Sequence, residues 1–182
     1  MVRVFYYVLV DLYCNYKNEK LKMQFFPATE YQPHCAQLFE NYKTKIKQLI
    51  PFAIVEHIGS SAIPNAISKG DLDIYIEVPA QQFLDAIKDL QQLNFKEKPD
   101  TLRTHELCML QSQAHDVALQ IVVTGSEFQN FLTFRDQLRR RPELVQQYNQ
   151  LKQSCLGTSP EQYRQIKALF IQNVLNPNPA YK

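Results

Sequence analysis

Two short motifs, with ten residues between Ser60 of the first and Asp71 of the second, hold the side chains best suited to chemistry. Gly59-Ser60-Ser61 follows an apolar run, and Asp71-Leu72-Asp73 opens the next one. A Gly-Ser turn that opens a helix exposes backbone N–H groups beside the positive end of the helix dipole, which suits a phosphate. Two carboxylates two positions apart on a strand share one face and suit Mg²⁺, which prefers a few carboxylates with phosphate oxygens and water. Together the motifs predict a holder for metal-bound triphosphate.

Each side chain in and beside these motifs has an expected role. We expect Gly59-Ser60-Ser61 to bind phosphate, and Asp71 and Asp73 to hold the metal and serve catalysis. His57 is a candidate catalytic proton carrier or phosphate contact, because its pKa normally lies near neutrality. The alternative for His57 is a structural hydrogen bond at the strand end. Lys69 either reaches a phosphate or is a solvated helix end.

Basic side chains later in the chain are candidates for the same nucleotide site. Arg135 suits a phosphate clamp because of its forked donors, and the alternative is an ion pair with its neighbour Asp136. Lys152 is assigned to nucleotide binding. Lys152 and Lys167 each follow a tyrosine by four residues and therefore share its helix face. The alternative for both lysines is that they extend from the edge of the core towards solvent.

The elements that position these residues can be read from hydrophobic periodicity. Residues 71–78 alternate between apolar and other side chains, which predicts a strand with one wholly apolar face. A short helix is expected from the Gly-Ser turn to Lys69-Gly70. The remaining predicted elements are strands over 52–58, 106–110 and 117–123 and helices over 33–49, 81–93, 128–139, 142–154 and 160–175. This order predicts an α+β domain with a small mixed sheet, flanking helices and a helical C-terminal part.

Composition restricts the possible partners and the compartment. The 182 residues are 45% hydrophobic and 21% charged, with a net charge of +2, so no strong field favours nucleic acid or a membrane surface. The apolar run over residues 4–10 is far shorter than the ~20 residues that span a bilayer. No pair of the four cysteines has the spacing of a metal or redox motif. We expect free thiols, a cytoplasmic location and no membrane partner.

The two ends of the chain differ from its centre. Residues 1–22 are unlike the rest, and one hypothesis is that Met23 is the natural start and that these residues are an extension. Residues 23–175 are expected to form the domain. Residues 176–182, which begin Asn-Pro-Asn-Pro, are expected to be a frayed tail.

The spacing of Gly-Ser and Asp-x-Asp resembles the signature of the nucleotidyltransferase superfamily. The chain more closely resembles the GrpB family, also called UPF0157, over roughly residues 24–175. This resemblance rests on the residues at 56–64, 69–74 and 134–138, and on the pairs Tyr148/Lys152 and Tyr163/Lys167. It implies a nucleotidyltransferase-like fold with a nucleotide site. The chain is also similar to a domain sometimes fused to dephospho-coenzyme A kinase, which implies a nucleotide or coenzyme A ligand.

The resemblance also shows departures that bear on catalysis. Many family members have a single aspartate where this chain has Asp71 and Asp73, so metal binding is favoured here. Active superfamily members usually add a third carboxylate from a later strand, and the matching position falls near the neutral Gln120. Asp116 lies four residues earlier, about 13 Å along a strand. We therefore expect Asp116 not to reach the same metal.

Three functions follow from these observations. The first is a Mg²⁺-dependent nucleotidyltransferase that moves a nucleotidyl group from a nucleoside triphosphate to an acceptor. The second is a non-catalytic module that binds a nucleotide or coenzyme A, which Gln120 favours. The third is a partner-binding protein that uses its three C-terminal helices as a surface, since fold alone does not decide function.

Overall fold

A computed structural model describes residues 24–177, in which a five-stranded mixed sheet carries helices on both faces. The strand order is β1-β2-β5-β4-β3, and only β2 and β5 pair in parallel. The central strands are fully buried because both of their faces are covered. The strands are β1 (Ile54–Ile58), β2 (Leu72–Val78), β3 (Phe95–Glu97), β4 (Leu107–Ser112) and β5 (Val117–Val123).

Within residues 24–177, five α-helices flank this sheet. They are α1 (Ala28–Leu49), α2 (Phe83–Gln91), α3 (Asn130–Arg140), α4 (Pro142–Ser154) and α5 (Pro160–Leu175). Both α4 and α5 begin at a proline, which lacks the N–H that a first helical turn would leave unbonded. The Ser159 and Gln162 side chains form a capping box that fixes the start of α5.

The two faces of the sheet carry different cores. On one face, α1 and α2 pack on the strands in a single large apolar cluster that includes Phe39, Ile46, Ile74 and Leu119. On the other face, α3 to α5 contribute to two smaller apolar clusters, one of them around Tyr75. The buried charged side chains of the N-terminal end of β2 and of the C-terminal helices lie beside these smaller clusters.

The predicted α+β class with a small mixed sheet and flanking helices is confirmed. Three elements differ from the expectation. Helix α1 begins at Ala28, five residues before the predicted start at Pro33, which lies inside the helix. The short strand β3 was not predicted, and the helix expected after the Gly-Ser turn is only a 3₁₀ turn over Ser60–Ala62. The predictions for residues 1–22 lie outside the described residues, as do most of the C-terminal tail and Cys14; the other cysteines are buried free thiols. Within residues 24–177, no helix has both the length and the apolar character needed to cross a membrane.

Candidate functional site

The Gly-Ser turn joins β1 to the segment that leads into β2. Gly59 has a φ of 72°, in the left-handed region that glycine adopts without a steric cost. A single 3₁₀ turn over Ser60–Ala62 follows it. Because this turn is only three residues long, the predicted helix is wrong and a helix dipole adds little at the turn; the binding of phosphate by Gly59-Ser60-Ser61 stays a prediction. The two serine side chains instead meet different partners, since Ser60 contacts Lys152 and Ser61 contacts His57.

Asp71 and Asp73 lie on one side of β2, as the alternation predicts. Asp73 pairs across the sheet with Ile58 and faces the C-terminal helices, where it is 2% exposed. Asp71 precedes the strand, is half-buried, and accepts a 2.7 Å hydrogen bond from the Ser68 hydroxyl. Asp71 is therefore partly exposed at the start of β2, whereas Asp73 lies in the interior.

Two lysines from different helices end beside these carboxylates. Lys152 of α4 is 1% exposed, and its Nζ donates to Ser60 Oγ at 2.7 Å and to the Ile67 carbonyl. It also lies 4.0 Å from the centre of the Tyr148 ring. Lys167 of α5 is 2% exposed. We call Ser60, Asp71, Asp73, Lys152 and Lys167 the lysine–aspartate cluster.

Electrostatics tie the members of this cluster together. Burial lowers the pKa of Lys152 to about 7, Asp71 acts in the opposite direction, and Lys69 adds to the lowering. Burial also lowers the pKa of Lys167, helped by the neighbouring Lys152 and opposed by Asp73 and Asp71. The two amines thus repel each other inside the protein, and the carboxylates offset part of that cost.

Lys167 is the residue of this cluster that sequence reasoning left out of the site. Its only signal is the pattern it shares with Lys152, a lysine four residues after a tyrosine. The alternative interpretation, in which Lys152 and Lys167 extend towards solvent, is wrong, because both side chains are buried. Lys69, also assigned to phosphate, is half-buried and close enough to affect both lysines.

His57 lies on the other side of the sheet from Asp73. It pairs with Ile74 in β2 and stacks on Phe39 of α1, with ring centres 4.9 Å apart. Its Nε2 shares a 2.9 Å hydrogen bond with Ser61 Oγ. Burial, followed by the charges of Arg139 and Arg135, lowers its pKa to about 4, so the imidazole is neutral at pH 7. The structure therefore does not bring His57 to the two aspartates.

Arg135 forms the ion pair that was its structural alternative. Its side chain is 8% exposed, and it donates to Asp136 at 2.8 Å and to Glu56 at 2.8 Å. Its Nη1 also donates to the His57 carbonyl at 2.9 Å. These bonds tie α3 to β1 and raise the pKa of Arg135, although burial alone would lower it. The guanidinium is engaged with these protein groups, and the assignment of Arg135 to a nucleotide phosphate stays a prediction.

The register of β2 and β5 corrects the argument about a third carboxylate. Gln120 pairs with Tyr75, and Ala118 lies opposite Asp73. The Leu72 N–H donates to the Asp116 carbonyl at 3.0 Å, so Asp116 lies beside Asp71 at the start of the two strands. The pKa of Asp116 is raised by burial and then by Asp71. Asp116 was expected to lie too far from the metal held by Asp71 and Asp73. That expectation placed Gln120 opposite the two aspartates, whereas the register places Ala118 opposite Asp73.

The donor set limits how a metal could bind. Among residues 24–177, no three His, Cys, Asp or Glu side chains come together as a metal site. Mg²⁺ needs only one or two protein carboxylates when substrate phosphates and water complete its shell. Asp71 and Asp73 fit that use, in which the metal arrives with a polyphosphate, and do not fit a site for the ion alone.

Comparison with known proteins agrees with the motifs. The family model described as GrpB protein matches residues 28–177. The chain belongs to the GrpB family. A UPF0157 protein of Vibrio cholerae is 55% identical over 154 residues, covering 84% of this chain and 82% of that protein. The family predicted from the sequence is therefore confirmed.

Solved structures support the fold of this GrpB chain. The crystal structure of the conserved protein GrpB from Enterococcus faecalis has a TM-score of 0.64 at 20% identity, covering 84% of this chain and 99% of that one. A Cid1 poly(U) polymerase mutant bound to MgATP is similar at a lower level, with a TM-score of 0.44 at 14% identity over 84% of this chain and 48% of that one. A likeness at that level carries no information about activity.

Proposed function

We propose that this GrpB chain binds a nucleoside triphosphate or a related polyphosphate ligand, including coenzyme A, at the lysine–aspartate cluster. The observation that carries the proposal is the burial of two neighbouring lysines, Lys152 and Lys167, close to two aspartates, with Lys152 also in contact with the Gly-Ser turn. Buried like charges cost folding free energy, and groups shifted in this way are concentrated at functional sites.

Charge and chemistry favour a polyphosphate as the ligand. Ammonium groups make strong, short hydrogen bonds to phosphate oxygens. A ligand with several negative charges would favour the protonated forms of Lys152 and Lys167, whose pKa values burial lowers. The Ser60 hydroxyl, already in contact with Lys152, would supply a further donor at the same place.

The proposed ligand enters from the start of β2. Asp71 and Lys69 are half-buried there, whereas Lys152 and Lys167 are 1% and 2% exposed. In the proposal, phosphate oxygens replace Ser60 Oγ and the Ile67 carbonyl as acceptors for Lys152 Nζ. Because those hydrogen bonds join α4 to the Gly-Ser turn, ligand binding should move the helix relative to the turn.

Mg²⁺-dependent nucleotidyl transfer is the second candidate. It is favoured by Asp71 and Asp73 on one side of β2, with Asp116 beside Asp71. Mg²⁺, held by the two aspartates and the phosphates of the donor, would supply charge neutralisation to the transfer. Against this candidate, Ala118 occupies the position opposite Asp73, where a third carboxylate would stand on the neighbouring strand.

Thermal unfolding with a panel of ligands tests the binding proposal. The panel contains ATP, GTP, CTP, UTP and coenzyme A, each with and without Mg²⁺. A ligand at about 100 times its dissociation constant stabilises the folded protein by ~2.7 kcal/mol, which gives a clear rise in Tm. We expect a rise with at least one ligand, and no rise in Lys152→Met.

Controls make the result specific to the cluster. Lys88→Met removes a lysine that is 74% exposed on α2 and should leave the ligand-induced rise unchanged. Ser60→Ala is a milder second variant in case Lys152→Met unfolds. A wild-type protein that responds to no ligand, or variants that respond like the wild type, would contradict the proposal.

Activity separates the two candidates. Release of pyrophosphate with a nucleoside triphosphate and a mixture of acceptors reports nucleotidyl transfer. Asp71→Asn and Asp73→Asn should then abolish turnover and leave the protein folded. Mg²⁺-independent binding without turnover would select the non-catalytic module.

A further inference from the structure

A cavity lies on the far side of the Gly-Ser turn from the lysine–aspartate cluster. It is a groove of about 460 Å³ between the first turns of α1 and the segment after β1. Pro33 and Ala36 of α1 form part of one wall, and His57, Ser61 and Arg139 line the groove with polar groups. Neighbouring serines therefore face two separate sites, because Ser60 contacts Lys152 and Ser61 contacts His57.

Arg139 gives this groove its charge. Its Nε donates to the Ala62 carbonyl at 2.8 Å, which fixes the guanidinium at the groove. Its Nη1 is 3.9 Å from the Asp136 carboxylate, beyond hydrogen-bond distance, and the side chain is 39% exposed. Arginine carries five N–H donors, so Arg139 retains donors for a ligand. Asp136 already accepts a 2.8 Å hydrogen bond from Arg135.

The imidazole beside Arg139 is held in position and uncharged. The ring of His57 stacks on Phe39 and shares a hydrogen bond with Ser61 Oγ. Arg139 and Arg135 are the charges that, after burial, lower the pKa of His57 to about 4. The groove thus presents a guanidinium and neutral hydrogen-bonding groups.

We propose that this groove is a second ligand site, independent of the lysine–aspartate cluster, which binds a small organic anion through a carboxylate or phosphate group on Arg139. Ser61 and His57 orient the anionic group, and the α1 wall contacts the body of the ligand. The cavity is far larger than one phosphate ion and lies in the size range of small-molecule pockets. The groove thus has room for an organic body attached to the anionic group.

NMR of the His57 ring tests this proposal with two defined probes, phenyl phosphate and benzoate. An anion near the ring favours the protonated imidazole, so a bound probe should raise the pKa of His57 from about 4. The same titration gives the affinity of each probe. The stronger probe identifies the anionic group, and neutral benzamide should bind at least tenfold more weakly than the better one.

Two matched arginines on α3 supply the variants. Arg139→Gln should weaken probe binding at least tenfold, whereas Arg140→Gln, an exposed neighbour outside the groove, should leave it unchanged. Lys152→Met separates the two sites, because it should leave the response of His57 intact. Failure of both anions to shift the His57 signals, or equal binding by Arg139→Gln and the wild type, would overturn the proposal.

Discussion

The two faces of the sheet bury different kinds of side chain, although the same strands form both. The α1–α2 face buries one continuous apolar cluster, with side chains such as Ile74 and Leu119 that are 0% exposed. The α3–α5 face has smaller apolar clusters interrupted by buried polar and charged side chains, namely Asp73, Glu77, Gln120, Arg135, Lys152 and Lys167.

This difference places most of the apolar burial on one face and the proposed ligand site on the other. Apolar burial stabilises the fold by ~25 cal/mol per Å², whereas a buried charge contributes favourably only when it is well paired. The α1–α2 face should therefore supply most of the folding free energy. The α3–α5 face contributes less stabilisation from apolar burial, because it also buries the polar and charged groups of the proposed ligand site.

Truncation of a buried apolar side chain on the α1–α2 face should give the largest change in the free energy of unfolding. We expect Ile74→Ala to lower the free energy of unfolding by about 2–5 kcal/mol, because it removes buried methyl groups and leaves a cavity. Urea denaturation measures the change. Leu84→Ala on α2, where the leucine is 61% exposed, serves as the control and should change stability by less than ~0.5 kcal/mol. A cost for Ile74→Ala below that of Leu84→Ala would contradict the division between the faces.

The buried lysines of the α3–α5 face should make the free energy of unfolding depend on pH. The pKa of Lys152 is about 7 in the folded protein, below its ordinary value of 10.5, so the unfolded chain binds more protons between these values. Stability should therefore rise with pH from about 7, by up to ~1.4 kcal/mol per pH unit for one such lysine. Lys167 acts in the same direction, because its pKa is also lowered.

The rise should end near pH 9. Burial raises the pKa of the Cys35 and Cys108 thiols above their ordinary value of 9.0, so their contribution to stability is lost as pH increases further. Urea denaturation at pH 7, 8 and 9 measures the slope. Lys152→Met should flatten it, while the exposed control Lys88→Met should not. Equal slopes in the wild type and Lys152→Met would show that Lys152 is charged in the folded state at neutral pH.

Sequence patterns predicted helices and strands well where the deciding residues are neighbours in the chain. The starts of α4 and α5 follow from Pro142 and Pro160, and the predicted bounds of both helices are confirmed. The strand β3 was missed because it has three residues, of which only Phe95 is buried. The 3₁₀ turn after Gly59 was mistaken for a helix, since serine caps and ordinary turns use the same residues.

The candidate site was harder to predict, because it depends on pairing between distant segments. Alternation placed Asp71 and Asp73 on one side of β2, which needs only one strand. Assigning His57 to the same site required the register of β1 and β2, which pairs His57 with Ile74 instead. The burial of Lys152 required knowledge of what covers its helix, which periodicity does not contain.

Gln120 offers the smallest and most specific test of the comparison between the faces. It is 0% exposed on the charged face, and within residues 24–177 neither of its amide atoms has a hydrogen-bond partner. A buried amide without a partner costs about 1–3 kcal/mol. We therefore expect Gln120→Met, which keeps a similar volume, to raise the free energy of unfolding by about 1 kcal/mol.

Gln91→Met, at an exposed position of α2, is the matched control and should have no measurable effect. The same urea denaturation compares both variants with the wild type. If Gln120→Met lowers stability, the amide is hydrogen-bonded in solution by a group that the strand neighbours Tyr75 and Met109 do not supply. Such a result would mean that the α3–α5 face encloses more of a polar interior than the lysine–aspartate cluster alone. An increase in stability would instead show that the Gln120 amide lacks a hydrogen-bond partner in solution, so that the α3–α5 face holds this polar group at a cost in stability.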